Sequence, residues 1–98
     1  MYTIIARRWF EKTNGNTYHS CEVYQDGKLI ERVPFEYGYG ESYRQTAHEI
    51  LQRAGHLPTT GERLPSGSDK DYHDFQMLIR DYDNWLFSVT DVTRKKDL

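Results

Sequence analysis

Two turn dipeptides, Asn14-Gly15 and Asp26-Gly27, divide the start of this chain into three runs in which apolar and polar residues alternate. Asn-Gly and Asp-Gly between alternating runs are the strongest short-range hairpin signals, because their central residues must tolerate positive φ. Residues 2–12, 17–24 and 28–35 are rich in β-branched and aromatic types, so they read as a three-stranded antiparallel meander. A two-residue turn at Asp26-Gly27 would set Glu22 directly opposite Glu31, and like charges facing across a ladder destabilise it. A three-residue loop with Gly27 in the left-handed bulge position avoids this, pairing Val23 with Leu29 and His19 with Val33. That register is the one expected. It places Ile4, Ala6, Phe10, Cys21, Val23, Leu29, Val33 and Phe35 on one face, with Arg8 and Glu31 bridging as an ion pair beside Cys21. Ile5, Arg7, Trp9, Tyr18, Ser20, Glu22, Tyr24, Ile30 and Arg32 fall on the other.

A helix follows. Ser42 and Gln45 have the spacing of a capping box, and Gly55 stands just past the end. Tyr43, Ala47, Ile50, Leu51 and Ala54 recur at helical spacing as one apolar stripe, with Glu49 and Arg53 as an i,i+4 pair on the solvent side. Residues 57–68, with Pro58, Gly61, Pro65 and Gly67, read as a loop. Tyr72, Phe75, Leu78, Ile79 and Tyr82 then predict a short second helix that Ser68 could cap, with a strand over 75–80 as the alternative. Trp85, Phe87 and Val89 alternate, which predicts a C-terminal strand. The charged end, 94–97, is expected to fray. The fold class is therefore α+β, with residues 1–98 forming a single domain.

Composition narrows the function classes. A chain of 98 residues buries roughly 65% of its surface on folding, enough for one modest core. Hydrophobic residues are only 37% of it, but 14% is aromatic, and large rings can fill a small core while showing a polar edge to water. A net charge of -2 gives no overall attraction for nucleic acid or an anionic membrane. Cys21 is the only cysteine, which excludes an intrachain disulfide and favours a reducing compartment. No transmembrane stretch or signal-peptide pattern is present, so the expected location is the cytoplasm.

Candidate chemistry is sparse. His19 and Cys21 share a strand face, but same-face neighbours stand too far apart for a thiolate–imidazole pair, so no catalytic residue and no enzyme activity are expected. Asp69, Asp71 and Asp74 lack the glycine and glutamate of a calcium loop. They suit the first turn of a helix, and with Asp81, Asp83 and Asp91 they could form an acidic surface. The four histidines show no ligand spacing, so neither a metal nor a cofactor is expected. Gly38, Tyr39, Gly40 and Ser42 precede a helix N-terminus, where an anion or nucleotide could bind, although Glu41 would compete. The richest constellation is Arg7, Trp9, Tyr18, Tyr24 and Arg32. It interleaves cations and rings as protein hot spots and single-stranded nucleic-acid sites both do.

Arg8-Trp9-Phe10 with the 15–20 stretch Gly-Asn-Thr-Tyr-His-Ser, Tyr37-Gly38-Tyr39-Gly40 with Gln45-Thr46-Ala47, and Val89-Thr90-Asp91-Val92 before a basic tail together define a pattern. It resembles small proteins encoded in phage and prophage genomes, and the likeness spans most of the chain outside 57–75. The resemblance implies a phage accessory gene, acting in the host cell cytoplasm and countering host defence. The expected function is non-enzymatic binding of a host protein. The alternatives are a nucleic-acid-binding module using the aromatic and basic sheet face, and a nucleotide or small-molecule binder at the Gly-Tyr-Gly turn.

Overall fold

The computed structural model describes residues 1–81 and 84–98. It is an α+β fold in which β1 (Tyr2–Glu11), β2 (Asn16–Gln25) and β3 (Lys28–Tyr37) form the meander. Helices α1 (Tyr43–Arg53) and α2 (Lys70–Asp81) follow, and β4 (Trp85–Val92) completes the sheet. Strand order is β3-β2-β1-β4, and β4 runs parallel to β1 on the open side of the meander. The expected second helix forms, so the alternative of a strand over 75–80 is not taken, and the expectations for Tyr82, Asp83 and the Asp81 side chain lie outside the described residues. Among the described residues no helix is long and apolar enough to cross a membrane.

The β2–β3 connection differs from expectation. Asp26 and Gly27 both have positive φ, 49° and 83°, and Gln25 pairs with Lys28, so the turn is the two-residue kind. The Glu22–Glu31 clash is removed one step later. Tyr24 pairs with Leu29 but Val23 pairs with Glu31, so Ile30 is the extra residue of a β-bulge and Glu22 comes to face Arg32. A second irregularity follows, because Cys21 pairs with Val33 while His19 pairs with Glu36. Pro34 sits in this gap, where its missing N–H leaves no vacancy in the ladder. The two-residue turn moves Leu29 out of the inner face, and the second bulge moves Phe35. Leu29 lies opposite Tyr24 and is exposed, and Phe35 stacks on Tyr18 of the outer face.

Both helices cover the other face. Ile4, Ala6, Cys21 and Val23 meet Tyr43, Ala47, Ile50 and Leu51 of α1 and Phe75 of α2, all buried. Trp85, Phe87 and Val89 of β4 pack half-buried against this cluster, as their alternation predicts. Gly55 closes α1 with a Schellman pair: the His56 N–H donates to the Leu51 carbonyl at 2.8 Å and the Gly55 N–H to Gln52 at 3.1 Å. Ala54 of the expected stripe ends the helix and is exposed.

Other local expectations are replaced by better-placed partners. Ser42 is itself helical in backbone, and its hydroxyl donates to the Tyr39 carbonyl at 2.7 Å, so the capping box does not form. Asp69, not Ser68, caps α2 by accepting the Asp71 N–H at 2.9 Å. Glu31 is held by Arg53, not Arg8, and Arg53 therefore does not pair with Glu49. Arg8 reaches Asp91 of β4 at 2.8 Å and the Gly40 carbonyl at 3.1 Å. The segment after β4 is not frayed but forms a short 3-10 helix, Lys95–Asp97.

Candidate functional site

The outer sheet face carries a cross-strand line of rings. Trp9 of β1 stacks on Tyr18 of β2 with centroids 5.7 Å apart, and Tyr18 stacks on Phe35 of β3 at 4.6 Å. Tyr37 meets Tyr18 edge-on at 5.6 Å, and Tyr39 meets Tyr37 edge-on at 5.5 Å. Such geometries suit the ring quadrupole. The line is increasingly open toward β3: Trp9 and Tyr18 are half-buried, whereas Phe35 is 42% exposed, Tyr37 53% and Tyr39 51%. The result is a rim of large apolar surface at one end of the sheet.

Of the five residues expected to bind a partner, the structure brings Trp9 and Tyr18 into this rim. Arg7, Tyr24 and Arg32 are engaged elsewhere. Arg7 donates to one Glu22 oxygen at 2.9 Å and the Tyr24 hydroxyl to the other at 2.6 Å. The Tyr24 hydroxyl bond, followed by Arg7, holds the Glu22 carboxyl below the usual carboxylate range. Arg32 donates to the Leu98 backbone oxygen at 3.0 Å. Phe35 and Tyr37 are the rim residues that the sequence reading missed. The available signal was Pro34, since a proline within a strand marks an edge or a bulge, and a bulge reverses which face the following residues occupy.

The face is partly roofed by the chain itself. From β4, at one edge of the sheet, residues 93–98 return to β3 at the other. The Lys95 ammonium lies 4.7 Å from the centroid of the Phe35 ring, and Arg32 holds Leu98. Ser20, on the outer face between Tyr18 and Glu22, is fully buried.

The other candidate positions have structural occupations. At Gly38 an added Cβ would stand 2.5 Å from the Ser42 Cβ, so this glycine permits close approach of strand end and helix start. Gly40 takes φ 56°, the left-handed region. The Tyr39 hydroxyl reaches the Gly15 carbonyl and Asn16 Oδ1, each at 3.2 Å. A cavity of about 320 Å³ beside the turn is lined by Arg8, Gly40 and Asp91 among others, with the Arg8 guanidinium already bound to Asp91 and Gly40.

Burial pushes the Cys21 thiol up to about 12, and its sulfur faces the Tyr43 carbonyl at 3.7 Å within the core. His19 is bonded through Nε2 to Thr46 Oγ1 at 2.6 Å. Asp71 accepts from the Thr60 N–H and hydroxyl, each at 2.7 Å, and Asp74 pairs with Lys70 at 2.6 Å, so these acids pin the 57–68 loop and α2. Among the described residues no cluster of three or more His, Cys, Asp or Glu side chains has metal-binding geometry.

No protein-family model, curated protein or solved structure matches the chain.

Proposed function

We propose that this chain is a non-enzymatic binding protein that docks on a partner protein through the aromatic rim Trp9, Tyr18, Phe35, Tyr37 and Tyr39. The observation that carries this reading is the cross-strand stack ending in exposed Phe35, Tyr37 and Tyr39. Large rings held rigid by their neighbours lose little entropy on binding, which is why aromatic residues anchor protein interfaces. Nucleic-acid recognition by a sheet face needs free ring faces on which bases stack. Here the rings stack on one another, and the nearby cations Arg7 and Arg32 are bound to Glu22 and Leu98. The Phe35 ring also carries the Lys95 ammonium over it, so the rim suits a protein surface that offers a cation better than it suits a base. The resemblance to phage accessory proteins supports a host-cell partner and a role in countering host defence.

The test is affinity capture from host lysate with wild type and with a Phe35→Ala/Tyr37→Ala variant, each with and without nuclease. A protein that survives nuclease and is lost with the variant, at unchanged circular dichroism, is the expected result. Recovery of nucleic acid, or equal capture by both chains, would overturn the reading.

A further inference from the structure

Residues 94–98 occupy the outer face much as a bound peptide would. They touch it through two groups of different kind: the Lys95 cation over the Phe35 ring, and the Leu98 backbone oxygen accepting from Arg32. The 3-10 turn sets their spacing, since the Asp97 N–H donates to Arg94 and the Leu98 N–H to Lys95, at 3.0 and 3.1 Å. Arg94 and Asp97 brace the turn at 3.0 Å, so those two charges neutralise each other and leave Lys95 for the ring. We propose that this segment is an internal ligand, and that the partner is a basic peptide segment that displaces it. Such a segment would lay a lysine or arginine over Phe35 and offer a main-chain oxygen to Arg32. The inference rests on the aromatic rim being the docking surface.

The seat is chemically specific. The face of an aromatic ring attracts a cation, and guanidinium N–H groups donate to backbone oxygen without regard to side chain. It is also easily vacated, because both contacts lie at the solvent boundary. A tethered segment competes at roughly millimolar effective concentration, so a free peptide of the same chemistry is masked until the tether is weakened.

The probe is a fluorescein-labelled peptide with the sequence of residues 93–98, titrated by anisotropy against full-length chains whose folding is checked by circular dichroism. Wild type should bind it weakly, and Lys95→Ala should bind about tenfold more tightly because the internal competitor is weakened. Adding Phe35→Leu, which keeps an apolar side chain but removes the ring face, should abolish the gain. No binding to Lys95→Ala at millimolar peptide would overturn the inference, as would equal binding by the Phe35→Leu chain. Release of an oligothymidylate site instead of a peptide site by Lys95→Ala would also overturn it. If peptide binding fails while capture still depends on Phe35 and Tyr37, the inference falls and the rim reading stands. If capture ignores Phe35 and Tyr37, both fall.

Discussion

Arg53 at the end of α1 grips Glu31 of the edge strand β3 through two bonds, Nη2 to Oε2 at 2.7 Å and Nε to Oε1 at 3.2 Å. The pair exists because the bulge at Ile30 brings Glu31 opposite Val23, on the face that α1 covers. Both side chains remain well exposed, 51% and 38%, so solvent screens them. Arg53→Ala is expected to cost less than about 1 kcal/mol in urea denaturation, and the loss should shrink further in high salt.

The apolar stripe of α1 behaves differently. Ile50 and Leu51 are fully buried against Ile4, Cys21 and Val23. Ile50→Ala or Leu51→Ala removes both transfer free energy and packing partners, so each should cost about 2–5 kcal/mol. A loss below about 1 kcal/mol at both positions would contradict the packing of α1 on the sheet.

Gly38 and Ser42 form a tight crossing whose two members can be separated by mutation. Gly38→Ala places a methyl group 2.5 Å from the Ser42 Cβ, so backbone must shift and stability should fall. Ser42→Gly in the same chain removes both contacting atoms. The double variant should recover part of the loss, giving a measurable coupling in a double-mutant cycle. Strictly additive melting shifts would show that the crossing is not the cause.

Two buried histidines set a pH dependence. Burial lowers His19, with Glu36 opposing, and burial lowers His48, with Asp69 and Asp71 opposing. His48 also stacks on Phe75 at 5.1 Å between the helices. With folded pKa values below the unfolded 6.5, the folded chain holds fewer protons near that pH than the unfolded chain does. Their contribution is therefore fully present above about pH 6.5 and is lost as pH falls below it. The melting temperature should decline from about pH 7 to about pH 5, and His48→Phe should flatten that decline. An unchanged slope would remove His48 from the account. Asp71, held low first by the Thr60 N–H, acts in the same direction but only in the carboxylate range.

Turn signals and periodicity together revealed the elements and most of the inner face. The alternation around Ile4, Ala6, Cys21 and Val23 and the stripe Tyr43-Ala47-Ile50-Leu51 are local patterns, and they bury as read. Register was less legible, because like-charge avoidance at Glu22 and Glu31 has two solutions. The chain keeps the type I′ turn that Asp26-Gly27 favours and relieves the clash with a bulge. That choice, repeated at Pro34, is why Phe35 stacks on Tyr18 instead of facing the core. Arg8–Asp91 and Arg32–Leu98 could not be read either, because they depend on β4 joining β1 in parallel and on the tail crossing the face.

The position of β4 also bears on how the chain reaches this state. Tyr2 pairs with Trp85 and Trp9 with Val92, so the sheet joins nearly the first residues to nearly the last. Sequence-distant pairing of this kind must close a long loop before any bond repays it, and it slows folding. During synthesis the meander can form early, but the free edge of β1 stays unpaired until β4 has left the ribosome. An open strand edge invites pairing with another nascent chain. Expression yield should therefore depend on translation speed through residues 57–84 more than on changes in the exposed rim.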